Sequence, residues 1–298
     1  MIDLGILGLD TSHAEAFAAV LTDRSDVRLT HAWDGRRIRD DAWVAEYATT
    51  HDLDVVDRPS DVIERVDGVL VLAVDWDQHR KLATPALEAG VPVLIDKPIV
   101  GSTGDLAAIR ESVDSTGTSL FGGSALPFHP DVGTLPRATV DRFLAASGYG
   151  DPFYYGVHVV DTIRHVIDAD WVRVCPVDAD RGVVGVQFAS GATATCYLDG
   201  PAAAATFAFL DVTTKPRTVT VDSTPETLKE MYAPYLDAYL ACLAGELDRT
   251  HAVLDAAALL LAVQACLAAD TPIERSGDGV PEIAIDAATF VAEYEPYY

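Results

Sequence analysis

The chain has 298 residues, 49% of them hydrophobic and 22% charged, with 46 acidic against 21 basic side chains and a formal net charge of -25. That length is enough for two domains, each with its own core, and so negative a surface repels nucleic acid, which argues against a nucleic-acid-binding role. Judged from the sequence, no apolar run approaches the ~20 residues of a membrane helix and the N-terminus lacks the basic and cleavage regions of a signal peptide, so a cytoplasmic location is expected.

The first 120 residues alternate strand and helix signals. Strands are predicted over residues 3–8, 27–33, 54–56, 68–74, 91–95 and 119–122, and helices over 14–21, 42–49, 77–89 and 104–115. Near-continuous apolar strands separated by amphipathic helices predict a parallel sheet covered on both faces. The fold class is therefore α/β: a Rossmann-like doubly wound sheet over residues 1–122.

After Gly122 and Gly123 the rhythm changes. A loop rich in proline and histidine leads to a predicted helix over 137–146 and a second over 157–167. Strand signals follow over 171–177, 183–189, 192–198, 205–212 and 218–221, with a hairpin turn at Ala189, Ser190 and Gly191. Two long helices, 226–243 and 252–268, close the pattern. Residues 123–298 are thus expected to form an α+β domain with a mainly antiparallel, open-faced sheet that binds substrate and mediates oligomerisation. Over 202–212, where Phe207, Ala208, Phe209 and Leu210 leave few polar positions, both faces of the strand are expected to be covered, one of them by a second copy in a homodimer or higher homo-oligomer. The four cysteines, Cys175, Cys196, Cys242 and Cys266, lack zinc or C-x-x-C spacing and read as reduced, mostly buried thiols.

Lysine is scarce. Besides Lys97 the chain has only Lys81, Lys215 and Lys229. Lys97 follows an apolar strand, next to Asp96 and Pro98, at the sheet edge where ligands bind in open α/β folds. A partly desolvated lysine can release its proton, whereas arginine cannot. The acidic, arginine-over-lysine surface suits a salt-rich cytoplasm, where screening relieves self-repulsion, and a halophilic source is expected.

Four local patterns carry a family resemblance. They are Gly5, Ile6, Leu7 and Gly8 followed by Ser12 and His13; the run from Val74 through Asp75 to His79, followed by Ala86, Leu87, Glu88, Ala89 and Gly90; the triplet Asp96, Lys97 and Pro98; and Gly156, His158 and Asp161 followed by Arg164. In that order and spacing the chain resembles the Gfo/Idh/MocA family of nicotinamide-dependent oxidoreductases over nearly its whole length. The resemblance implies a dehydrogenase or reductase that transfers hydride between NAD or NADP and a hydroxyl or keto carbon of a sugar, cyclitol or related polyol. It makes Lys97 a catalytic or substrate-orienting group and His158 the general acid/base, a task that suits a histidine titrating near neutral pH. Tyr154, Asp161 and His165 would contact substrate, and these groups are expected to converge with Lys97 in a cleft between the halves. Gly8, Asp10, Thr11, Ser12, His13, Asp34, Asp75, His79 and Asp96 would bind cofactor.

The chain departs from the family in two places. The glycine fingerprint of a dinucleotide turn falls on Gly8, Asp10 and His13, so a carboxylate stands where backbone normally approaches the pyrophosphate. Thr11 and Ser12 can compensate with hydroxyls and an N-cap, and His13 with a donor to phosphate; alternatively Asp10 faces substrate or a cation. Tyr154 stands four residues before His158, where many members place an aspartate, and the short segment from Gly148 to Gly156 leaves little room for the first strand of the second sheet. Asp34, at the end of the second strand, favours NAD through the ribose 2'-hydroxyl, while Arg36 and Arg37 just beyond it would suit the 2'-phosphate of NADP.

Two other readings stand beside the oxidoreductase. His158, Asp161 and His165 share one helix face at i, i+3 and i+7, a spacing that can ligate zinc or manganese for hydrolytic or lyase chemistry. A Rossmann domain with an altered glycine turn can also serve as a non-catalytic ligand sensor.

Overall fold

The computed structural model describes residues 1–137, 140–146, 150–198, 206–275 and 280–296. The chain divides into two compact units: Met1–Gly122 with Leu236–Val253 and Ile285–Tyr298, and Gly123–Tyr235 with Leu254–Ala284. Where the sequence reading gives 123–298 to one domain, two later segments therefore return to the first unit. Their anchors explain why. The Tyr239 hydroxyl donates to the carbonyls of Val69 and Pro92, each at 3.0 Å, the Trp76 indole N–H donates to the Ile285 carbonyl at 2.7 Å, and Ile285 N donates to Gly101 O at 2.8 Å.

In the first unit, β1 (Ile2–Leu7), β2 (Val27–Trp33), β3 (Asp54–Val55), β4 (Gly68–Val71), β5 (Val93–Ile95) and β6 (Leu120–Gly122) form a six-stranded sheet in the order β3-β2-β1-β4-β5-β6. All its pairings are parallel. Every residue of β4 and β5 is buried, as strands with helices on both faces must be. The connecting helices are α1 (His13–Thr22), α2 (Asp41–His51), α3 (Pro59–Ile63), α4 (Trp76–Glu88) and α5 (Thr103–Thr116). Their starts are chemically marked: Asp40 accepts from Trp43 N at 2.8 Å to cap α2, and Ser102 accepts from Asp105 N at 3.0 Å to cap α5. The strand order switches between β1 and β4, which is where such sheets bind ligands.

The second sheet has seven strands in the order β12-β11-β7-β10-β9-β8-β13. These are β7 (Arg142–Ala146), β8 (Trp171–Asp178), β9 (Val183–Phe188), β10 (Thr193–Tyr197), β11 (Thr206–Asp211), β12 (Arg217–Asp222) and β13 (Ile273–Glu274). Among the described residues only the β7–β10 pairing of this sheet is parallel. The helices α6 (Gly156–Val166), α7 (Pro225–Leu243), α8 (Thr250–Ala269) and α9 (Ala288–Glu293) complete the described elements.

Three expectations are corrected. The helix predicted over 137–146 is instead β7, so the first strand of the second sheet is present. Arg, Leu and Ala favour helix locally, but Phe143 and Ala145 point inward while Arg142 and Leu144 point outward, and pairing with β10 and β11 overrides the propensity. The strand through Phe207 does alternate: Phe207, Phe209 and Asp211 are buried while Thr206, Ala208 and Leu210 are half-buried, Phe209 stacking on Phe143 with centroids 6.0 Å apart. Residues 202–205 of that expected run, like Gly148, lie outside the described residues. Finally, α8 is long and apolar enough by length and composition to cross a membrane, but 67% of its apolar stretch is buried inside the fold, as in a core helix.

Gly8 shows how tightly the first turn is built. Its φ is +89°, and a Cβ there would lie 2.8 Å from the backbone nitrogen of Ala73. Gly8→Ala is therefore expected to cost about 2 kcal/mol or more, read as a lower denaturation midpoint at unchanged slope. Gly90→Ala, with a φ of +79° but open space around the added methyl, separates backbone strain from the clash and should cost about 1 kcal/mol.

Candidate active site

The β1–α1 turn is tied to the end of β2 by Asp34. Its buried carboxylate accepts from Leu9 N at 2.8 Å, from Arg36 N at 2.7 Å and from the Arg36 guanidinium at 3.2 Å. Arg36 also donates to Asp41 at 2.6 Å, and Arg37 pairs with Asp75. Both arginines that would greet a 2'-phosphate are thus engaged by carboxylates, whereas Asp34 keeps acceptor capacity for a hydroxyl.

Asp10 is 3% exposed. One carboxylate oxygen accepts from Val74 N at 3.2 Å; the other is buried with no hydrogen-bond partner among the described residues. Burial first, then the negative charge of Asp34, pushes the Asp10 carboxyl up to about 6, against the opposing pull of Val74 N–H, Arg37 and Arg39. Ser12 does not cap α1 with its side chain, because its backbone is already helical at φ -63° and ψ -15° where a cap needs an extended residue. The Thr11 hydroxyl donates to Asp96 at 3.3 Å. The His13 ring bonds through Nδ1 to Asp96 at 2.8 Å and stacks on Phe17 with centroids 4.9 Å apart.

Asp96 is the meeting point of these groups. Besides Thr11 and His13 it accepts from Lys97 N at 2.8 Å. Burial alone would raise its pKa, but the charge and hydrogen bond of His13, with help from Lys97, hold the carboxyl down at about 2. Lys97, 5% exposed, moves the other way: desolvation lowers the ammonium to about 7, and the attraction of Asp96 offsets this only in part. The Lys97–Pro98 peptide is cis. His79, fully buried, spends both ring nitrogens on backbone carbonyls, Nδ1 on Pro98 at 2.9 Å and Nε2 on Ala73 at 2.7 Å. It fastens the β4–α4 turn to the segment carrying Lys97. Asp75 caps α4, accepting from Asp77 N at 3.1 Å.

In the second unit, α6 presents His158 and Asp161 to the same short segment. His158 Nδ1 is 2.6 Å from the Ser124 hydroxyl, and Asp161 accepts from Ser124 N at 2.6 Å. The Ser124 oxygen also accepts from Leu126 N at 3.0 Å, which fixes its place. Ser124 therefore orients His158, the task that an aspartate at position 154 would perform elsewhere. Sequence reasoning missed it, although Gly122 and Gly123 just before it are a signal: Gly123 has a φ of +80°, and a Cβ there would strike the Asp161 carboxylate. Tyr154 is 3% exposed, its ring edge-on to Tyr155 at 5.1 Å.

His165 lies apart from His158 and Asp161 in its contacts. It faces the Arg137 guanidinium, 3.1 Å from Nδ1, and the Phe128 ring. A cation beside it would meet that guanidinium. Among the described residues no group of three or more His, Cys, Asp or Glu side chains could hold a metal ion, and the helical spacing that suggested one is accounted for by Ser124 and Arg137.

The donor set of the first unit fits a dinucleotide: a buried acid at the strand-two end, hydroxyls and amides at the start of α1, and an orphaned carboxyl oxygen in the turn. Comparisons with known proteins agree. No curated protein sequence matches the chain. Among solved structures it resembles GenD2 from gentamicin A biosynthesis in complex with NAD (TM-score 0.78, 18% identity, covering 93% of this chain and 97% of that one). It also resembles myo-inositol 2-dehydrogenase from Lactobacillus plantarum (TM-score 0.76, 13% identity, 92% and 99%) and scyllo-inositol dehydrogenase from Lactobacillus casei (TM-score 0.75, 14% identity, 92% and 98%). At such identities the likeness concerns the fold. Residues 2–123 match the model of the family described as "Oxidoreductase family, NAD-binding Rossmann fold", and that match assigns the first sheet and its helices to an NAD-binding domain of the kind found in the Gfo/Idh/MocA oxidoreductases.

Proposed function

We propose that this protein transfers hydride between NAD and a hydroxyl or keto carbon of a sugar, cyclitol or related polyol, with Lys97 and His158 as its proton-handling groups. The observation that carries the reading is Lys97: a buried lysine at the carboxyl end of a strand in an NAD-binding domain, its ammonium lowered to about 7 beside a carboxylate held at about 2. NAD, when bound, supplies the hydride acceptor. Removing hydride from a secondary alcohol also requires removing its hydroxyl proton, and a neutral Lys97 amine is a suitable acceptor near neutral pH. Asp96 gives Lys97 a fixed negative neighbour. His158, held by Ser124, offers a second group for the proton, and Asp161 locks the backbone beside it. The polyol class is supported by the inositol dehydrogenases among the structural neighbours.

A screen of inositols and sugars with NAD in molar salt, following NADH absorbance, tests the reading. NADH binding with no turnover on any polyol would leave the sensor reading in its place. With a substrate in hand, Lys97→Ala and His158→Ala are each expected to lower turnover by about 10²-fold or more without unfolding the protein. The sign of the pH dependence follows from the lysine. Neutral above about pH 7 and protonated below it, Lys97 makes alcohol oxidation rise as pH climbs through that value, and Lys97→Arg, permanently charged, removes the inflection instead of restoring the rate. A pH profile unchanged by Lys97→Arg would show that another group moves the proton.

We propose too that the open face of the second sheet pairs with a second copy of the chain. Register aligns Leu210, Leu144, Thr195, Gly185 and Cys175 in one row across β11, β7, β10, β9 and β8. On that face Leu144 is 44% exposed and Tyr197 36%. An uncharged stripe is a notable exception on a chain of net charge -25, and burying it would remove apolar surface from water. Light scattering in molar salt is expected to give a dimer or larger assembly, and Leu144→Asp with Tyr197→Asp a folded monomer; a monomeric wild-type protein at micromolar concentration would refute the pairing.

A further inference from the structure

Resting on the NAD-binding reading, we infer that Asp10 is a protonated hydrogen-bond donor to the dinucleotide pyrophosphate, so that the protein takes up one proton from solvent, onto the free Asp10 carboxyl oxygen, when NAD binds. The geometry sets up the need. Asp10 occupies the place in the β1–α1 turn where a glycine normally lets backbone approach the pyrophosphate. Its side chain is 3% exposed, with one oxygen satisfied by Val74 N at 3.2 Å and the other buried without a partner among the described residues. Ionised, that second oxygen is an acceptor facing an incoming diphosphate that offers only acceptors and negative charge. Protonated, the same oxygen becomes the donor that both sides lack.

The surrounding charges relieve the conflict only in part, through one buried guanidinium nitrogen of Arg39, Nη2, that has no hydrogen-bond partner among the described residues. Asp34, from the end of β2, adds negative charge. Of the two arginines facing Asp10 from the segment after β2, Arg37 is committed to Asp75 at the start of α4, and Arg39 reaches the Leu9 carbonyl at 3.4 Å and lies over the Trp43 ring at 4.0 Å. His13, at the start of α1, is bound to Asp96. A carboxyl already raised to about 6 by burial and Asp34 needs little further help to keep its proton beside a diphosphate, whose own charge raises it again.

The test is calorimetric titration of the full chain with NAD in molar salt, from about pH 5 to about pH 8, in two buffers of different ionisation enthalpy. Wild-type protein is expected to take up close to one proton more than Asp10→Asn at the upper end and almost none more below the Asp10 pKa. Asp10→Asn, which keeps an amide donor and cannot titrate, supplies the reference. Lys97 titrates in the same range with the opposite sign toward the positively charged nicotinamide and is common to both proteins. The ratio of wild-type to Asp10→Asn dissociation constants therefore isolates Asp10, and it should grow about tenfold per pH unit above about 6. Asp10→Gly distinguishes donation from crowding: if bulk alone matters, glycine binds NAD tightly and asparagine does not. A ratio that stays constant with pH, or a proton uptake by the wild type equal to that of Asp10→Asn, overturns the inference and leaves the NAD-binding reading intact. No binding of NAD by wild type or Asp10→Asn at any pH overturns that reading itself, and the inference with it.

Discussion

A single buried carboxylate joins the turns on which the first unit's chemistry depends. Asp96, 1% exposed, accepts from Thr11 and His13 of the β1–α1 turn and from the backbone of Lys97 after β5. A carboxylate taken out of water is costly unless it is paired and hydrogen-bonded, so its position is stable only while all three donors are in place. The ion is therefore a geometric constraint as much as an electrostatic one. It couples the residue opening the first helix to the lysine that closes the fifth strand, across the point where strand order switches.

The same logic extends outward from Asp96. His79 bonds backbone on both sides, so α4 cannot move without disturbing the carbonyls of Pro98 and Ala73. Asp34 does for the end of β2 what Asp96 does for the end of β5, holding Leu9 N and Arg36 N. In the second unit the arrangement is inverted. There a neutral hydroxyl and its own backbone amide, both from Ser124, receive a histidine and a carboxylate from one helix face. Fixing a histidine with a hydroxyl avoids burying another ion, and it leaves the Asp161 charge spent on an amide.

The sequence discloses the Rossmann half well, because parallel strands buried on both faces must be short continuous apolar runs, and the runs before Gly8, Val74 and Asp96 have no other reading. It discloses β7 badly. Arg142, Leu144, Ala145 and Ala146 are acceptable in a helix, and what makes them a strand is pairing with β10 and β11, segments distant in sequence. The short elements β13 and α9 go unseen for a related reason: they exist through tertiary contact, and carry too few residues for periodicity to show. Lys97 and His158 are legible from their motifs. Ser124 is not, since a serine after two glycines is indistinguishable in sequence from a turn residue until α6 is laid beside it. Ser12 is misread as a side-chain cap because the helical backbone at that position decides where its side chain goes.

The placement of positive charge explains why the altered glycine turn remains compatible with a dinucleotide. An anionic ligand at this turn would ordinarily be met by arginine, and three arginines follow β2. Yet Arg36 is held by Asp34 and Asp41, Arg37 by Asp75, and Arg39 lies on Trp43. To release Arg36 or Arg37 would unpair a carboxylate, and the buried Asp34 and Asp75 would bear that cost within the same turn. Beyond the one guanidinium nitrogen of Arg39 that has no partner among the described residues, negative charge in the ligand is met by neutral donors: amides at the start of α1, hydroxyls, and a carboxyl that has kept its proton. A turn built of committed ion pairs thus makes protonation of Asp10 the least disruptive way to receive a phosphate. The same commitment gives an adenosine with a free 2'-hydroxyl an acceptor in Asp34, while a 2'-phosphate would find Arg36 and Arg37 already taken by carboxylates.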